Sequence, residues 1–123
     1  MSMFRTRAAL LAMLASVAFQ AAAHTALESS TPANGATLAQ SPAFIAMKFH
    51  HPINLTSVVV VDASKAERKL EFAPHANAAE FKVSDPQLAP GHNEVTWKGL
   101  SEDGHVISGS LKFEVGAKGP KTP

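Results

Sequence analysis

The chain contains no cysteine and no tyrosine, so the residues best suited to soft chemistry are its six histidines: His24, His50, His51, His75, His92 and His105. The missing cysteines exclude a disulfide framework, an iron–sulfur cluster, a thiolate zinc site and a cysteine nucleophile. Imidazole is the commonest metal ligand among side chains, and six in a chain of this size point to a transition metal. One histidine sits in a compact polar group, Asp103-Gly104-His105. On an extended chain, residues two apart project to the same side, and Asp-Gly favours a turn. By itself the triplet reads better as the tip of a plain hairpin with an exposed histidine. His50 and His51 are adjacent and precede Pro52. Neighbours on a strand point to opposite faces, so at most one of them serves any one site. His75 lies in an Ala/Asn-rich stretch and His92 follows Pro90-Gly91, which reads as two solvated loop histidines.

His24 gains its meaning from what precedes it. Met1–Arg7 is short and basic, Ala8–Phe19 is an apolar run of 12 residues, and Gln20-Ala21-Ala22-Ala23 supplies small residues for a processing peptidase. That is the three-part pattern of a secretory signal peptide. The apolar run is too short to span a bilayer, which takes roughly 20 residues. Cleavage after Ala23 leaves a mature chain that begins with His24, carries nine basic and ten acidic groups, and has no second run of spanning length. Such a chain is expected to be soluble in the periplasm. Its balanced charge excludes the concentrated basic face of a nucleic-acid binder.

A freed His24 carries an α-amine as well as an imidazole, and the two nitrogens can close a chelate on one ion. Joined by Asp103 and His105, they form a set of three nitrogens and one oxygen. In a tetragonal arrangement such a set suits Cu(II), which also tops the divalent affinity order. The mature chain has a single methionine, Met47, so thioether ligation of Cu(I) has little to draw on.

The elements that must position these residues are strands. No window after His24 sustains a 3.6-residue apolar period, and all the prolines and glycines fall in this part as punctuation. Phe44–Phe49, Leu55–Val61, Lys69–Phe72, Glu80–Val83, Glu94–Lys98 and Val106–Val115 read as strands. Val95 and Trp97 share one face, with Trp97 as a core plug, and Leu111, Phe113 and Val115 share another. The Val-rich Leu55–Val61 run suits burial on both faces, and Gly109 suggests a bulge. About seven strands at spacings near ten residues predict an all-β, Greek-key antiparallel β-sandwich or barrel of immunoglobulin-like or cupredoxin-like type. The expected organisation is a cleaved signal over 1–23, one domain over 24–116 and a flexible tail over 117–123.

The sequence resembles the CopC copper-resistance family. The likeness lies in His24-Thr25-Ala26-Leu27-Glu28-Ser29-Ser30-Thr31-Pro32 with Asn34-Gly35, in Ile45–Phe49, and in Leu88-Ala89-Pro90-Gly91 with Val95-Thr96-Trp97. It is densest over Ser101–Val115, where the Asp-Gly-His element leads into Gly109-Ser110-Leu111-Lys112-Phe113-Glu114-Val115. The resemblance implies a periplasmic copper-binding β-sandwich without catalysis, with one Cu(II) on the amine and imidazole of His24, on Asp103 and on His105. It also implies exchange with an inner-membrane CopD-type transporter. The chain departs from the family twice. The stretch Val61–Glu80, where some members carry a Met-rich loop, has no methionine, so no Cu(I) site is expected. Two residues past Phe49, where some members have Glu, stands His51, either an additional ligand or an outer-shell group. Two other readings stand beside the copper carrier. One is a copper oxidoreductase built on a histidine brace, although the chain has one Trp and no Tyr to offer a glycan. The other is a structural immunoglobulin-like module with incidental histidines.

Overall fold

The computed structural model describes residues 26–117. The expected signal segment, His24 and all of the tail beyond Ala117 lie outside them. The described residues form seven strands and no helix: β1 Leu27–Thr31, β2 Thr37–Leu38, β3 Phe44–Asp62, β4 Glu67–Lys69, β5 Ala78–Ser84, β6 Gly91–Leu100 and β7 Val106–Val115. The all-β architecture is therefore the expected one.

Its organiser is β3, which the sequence suggests as two strands broken at Pro52. It is instead one strand of 19 residues. The first half pairs with β1 and β5, one on each edge. The second half pairs with β4 and β6. From β6 the sheet continues through β7 to β2, and the whole curls around one core. Pro52 is tolerated because residues 50–52 have no partner in any of these ladders, so its missing N–H costs no sheet hydrogen bond. A second departure from expectation is that β2 pairs with β7 in parallel, over Thr37↔Glu114 and Leu38↔Val115.

Burial along β3 follows the pleat. Ile45, Met47, Phe49, Ile53 and Leu55 are buried, and then the parity changes to Val58 and Val60. The change coincides with a register shift against β6 between Leu55 and Ser57. A one-residue shift turns the following side chains to the other face, so apolar residues stay inward. The Val-rich run is thus buried on one face only, with Val59 and Val61 half-exposed, because the strand forms one wall of a curled sheet.

Trp97 and Phe49 meet across the core at 5.0 Å between ring centres and an 81° tilt, an edge-to-face contact. Phe49 then meets Phe81 at 5.9 Å, and Phe81 meets Phe72 at 6.2 Å. Leu111, Phe113 and Val115 are buried on one face of β7, as their alternation predicts. Gly109 is not a bulge, because the β6–β7 ladder runs unbroken from Gly91↔Val115 to Leu100↔Val106. Gly109 lies directly opposite Trp97, and a Cβ there would stand 2.7 Å from the indole Cζ2. The glycine is a requirement of the indole's position. Gly109→Ala is expected to destabilise the fold by about 1–3 kcal/mol through overpacking. Urea denaturation measures this, and an unchanged midpoint would show that the indole does not press on that backbone.

Candidate metal centre

The unbroken β6–β7 ladder ends in a five-residue tip, Ser101–His105. Ser101 N–H donates to His105 O at 2.9 Å and closes the tip, and Gly104 N–H donates to Ser101 O at 2.9 Å. Gly104 adopts φ +87°, a left-handed conformation that Gly takes without the penalty a Cβ would bring. The Asp-Gly signal therefore makes the expected turn. Asp103 and His105 do share a side, but this turn brings them together rather than the alternation of an extended strand. Asp103 Oδ2 lies 3.1 Å from His105 Nδ1, and both side chains are well exposed.

The Asp103 carboxyl is held below its ordinary value of 3.8, chiefly because the Ser101 hydroxyl donates to it. The backbone N–H of His105 also favours its charged form. A carboxylate depressed in this way helps the fold above the ordinary value, and that help is lost as pH falls through the lowered one. Asp103 is therefore an anion throughout the neutral range, free to act as an oxygen donor.

A cavity of about 450 Å³ opens beside the pair. Its lining includes Asp103, His105 and Ser101 from the tip, His51 and Pro52 from β3, and Ala26 just before β1. Ala26 is held there by its carbonyl, which accepts from His50 N–H at 3.0 Å. His50 and His51 part as strand neighbours must. His51 lines the cavity, while His50 Nδ1 stands 3.8 Å from Glu28. Among the described residues, no three His, Cys, Asp or Glu side chains are grouped closely enough to hold an ion by themselves. His24, the remaining candidate ligand, is outside the described part, two residues before Ala26.

Of the two histidines read as solvated loop residues, His75 is exposed in a loop as expected, and His92 is exposed but stands on a strand. His92 is on β6 and its Nδ1 lies 2.6 Å from Glu114 Oε2 on β7, a cross-strand pair. His75 stacks on Phe72 at 4.7 Å. Glu114 is 22 residues from His92 in sequence, so no local pattern signals that pair. Sequence reading also missed a groove of about 500 Å³ between β1 and β7, floored by Trp97. The indole Nε1 of Trp97 is buried with no hydrogen-bond partner among the described residues. Of the groove's lining residues only Glu28 is titratable, so the metal-ligating chemistry belongs to the smaller cavity.

Comparison with solved structures finds the same fold. CopC from Methylosinus trichosporium OB3b superposes with a TM-score of 0.62 at 23% identity, over 81% of this chain and 99% of that one. PcoC, a copper resistance protein from Escherichia coli, superposes in its selenomethionine form with a TM-score of 0.56 at 24% identity, over 72% of this chain and 97% of that one. A further PcoC structure, described as a methionine rich copper resistance protein, gives 0.54 at 27% identity, over 76% and 99%. By contrast, the one methionine among the described residues here, Met47, is buried in the core. No protein of curated function matches the sequence. The CopC domain model matches residues 27–116, most of the 123-residue chain, and the chain belongs to the CopC domain family.

Proposed function

We propose that this protein is an exported carrier of Cu(II) that sequesters or hands on the ion without chemical turnover. The observation that carries the reading is the facing pair at the hairpin tip, Asp103 Oδ2 and His105 Nδ1 at 3.1 Å, beside a cavity lined by His51 and Ala26. Two donors at that separation can both reach one ion at bond lengths of about 2.0 Å, meeting it at roughly 100°, near the right angle of a tetragonal site. Copper is the cargo here. In this reading signal cleavage after Ala23 frees His24, whose amine and imidazole complete a set of three nitrogens and one oxygen. The position of Ala26 on the cavity rim supports that assignment, since the chain enters β1 from there. The family membership, and the description of PcoC as a copper resistance protein, support copper as the metal. His51 is an additional or outer ligand at the same opening. The exposure of Asp103 and His105 suits transfer to a partner, in this reading a CopD-type transporter of the inner membrane.

The processed protein is expected to take up one Cu(II) with a tetragonal electron paramagnetic resonance spectrum, and no tightly held Cu(I). One extra residue ahead of His24 moves the amine and should abolish tight binding, as read by competition with a chelator. Undiminished affinity in that extended form would remove His24 from the site. His51→Ala distinguishes a ligand, whose loss changes the spectrum, from an outer group that leaves it intact. Ascorbate consumption faster than that of free copper would favour the oxidoreductase reading instead.

The dependence on pH follows from the donors. Asp103 is already ionised, whereas amine and imidazole nitrogens must each give up a proton before they can bind an ion. Affinity should therefore fall with pH and steepen as it falls, toward about three decades per unit once an amine and two imidazoles all carry protons. A single shallow slope throughout would contradict a site with an amine and two imidazoles.

A further inference from the structure

We propose that Ser101 is a positioning residue for this site: its hydroxyl engages Oδ1 of Asp103 and leaves Oδ2 as the one oxygen offered to an ion. The inference rests on the copper-carrier reading and deepens it. The two oxygens of Asp103 have different surroundings. Oδ1 accepts from the Ser101 hydroxyl and faces His105 N–H at 3.4 Å. Oδ2 faces the His105 ring at 3.1 Å. The Ser101 hydroxyl oxygen in turn accepts from His105 N–H at 3.2 Å. One side chain therefore grips both members of the pair, the carboxylate of Asp103 and the backbone of His105.

Packing cannot do this work, because the two side chains stand largely in water, 67% exposed for Asp103 and 79% for His105. A hydrogen bond to an ionised carboxylate is roughly twice as strong as a neutral one. With Oδ1 drawn into the tip, the carboxylate plane is fixed and chelation of an ion through both oxygens is disfavoured. The ion meets a single-oxygen, monodentate carboxylate next to an imidazole. The tip's backbone closure, from Ser101 N–H to His105 O and from Gly104 N–H to Ser101 O, does not involve the hydroxyl and survives its removal.

The test uses the processed protein beginning at His24, with Ser101→Ala and Ser101→Thr as the variants and Cu(II) as the probe. Ser101→Ala should lower Cu(II) affinity about 10- to 100-fold, the usual range for losing an outer-shell partner. It should also alter the copper hyperfine splitting, speed amide exchange at His105 in the metal-free protein, and lower the thermal midpoint only slightly, since the tip is exposed. Ser101→Thr, which keeps a hydroxyl, should restore affinity and spectrum. Wild-type affinity and spectrum in Ser101→Ala would overturn the proposal. So would a loss of affinity that tracks a loss of thermal stability and that Ser101→Thr does not restore. A wild-type protein that takes up no copper would remove the carrier function itself, a result distinct from a wild type that binds and a Ser101→Ala variant that is its equal.

Discussion

The indole of Trp97 is pressed between the backbone of Gly109 and the ring of Phe49, and the fold is organised around that contact. On one side it demands a residue without a Cβ, so that β7 can lie flat against β6. On the other it joins an edge-to-face chain of rings that ties β6 to the first half of β3 and on to β5. Because the glycine admits the indole without a bulge, ten consecutive pairs of the β6–β7 ladder stay in register. The tip of that hairpin is the loop that carries Asp103 and His105. A packing constraint in the core thus sets where the exposed chemistry lies.

The site is built on a different principle from the core. Its side chains are exposed, and exposed charge pairs stabilise a fold by little, about 0–1 kcal/mol. Order comes from short-range hydrogen bonds within five residues, with Ser101 as the hub and Gly104 supplying the left-handed turn. The arrangement is local, open and preorganised, which suits reversible capture of an ion. The other wall of the cavity comes from residues 50–52 of β3, outside the ladders, where the chain passes from one set of ladder partners to the next. The same gap that tolerates Pro52 leaves His51 free to face the opening.

Membership of the CopC domain family agrees with what the residues suggest of the metal, but the chain has its own character. Its one described methionine is buried among apolar neighbours, and its middle segment turns a histidine toward the cavity. Nitrogen and oxygen donors therefore dominate the surface of the candidate site. Donors of that kind match the divalent ion better than the monovalent one.

Features fixed by local pattern were legible in the amino-acid sequence. The inward faces of Val95 and Trp97 and of Leu111, Phe113 and Val115 followed from alternation alone. The Asp103-Gly104-His105 turn followed from Asp-Gly chemistry. What depended on a partner strand was not legible. Pro52 reads as a break, yet β3 continues through it because no ladder bond is required there. Gly109 reads as a bulge, yet it is a contact surface for a ring twelve residues earlier in the chain. Which of His50 and His51 faces the cavity depends on how β1 and β3 meet, and the hold of Ser101 on Asp103 depends on how the tip closes. Side-chain type and period-two spacing are properties of the sequence itself. Register, the direction of a side chain at a stretch outside the ladders, and the division of one carboxylate's two oxygens arise only when distant strands have paired.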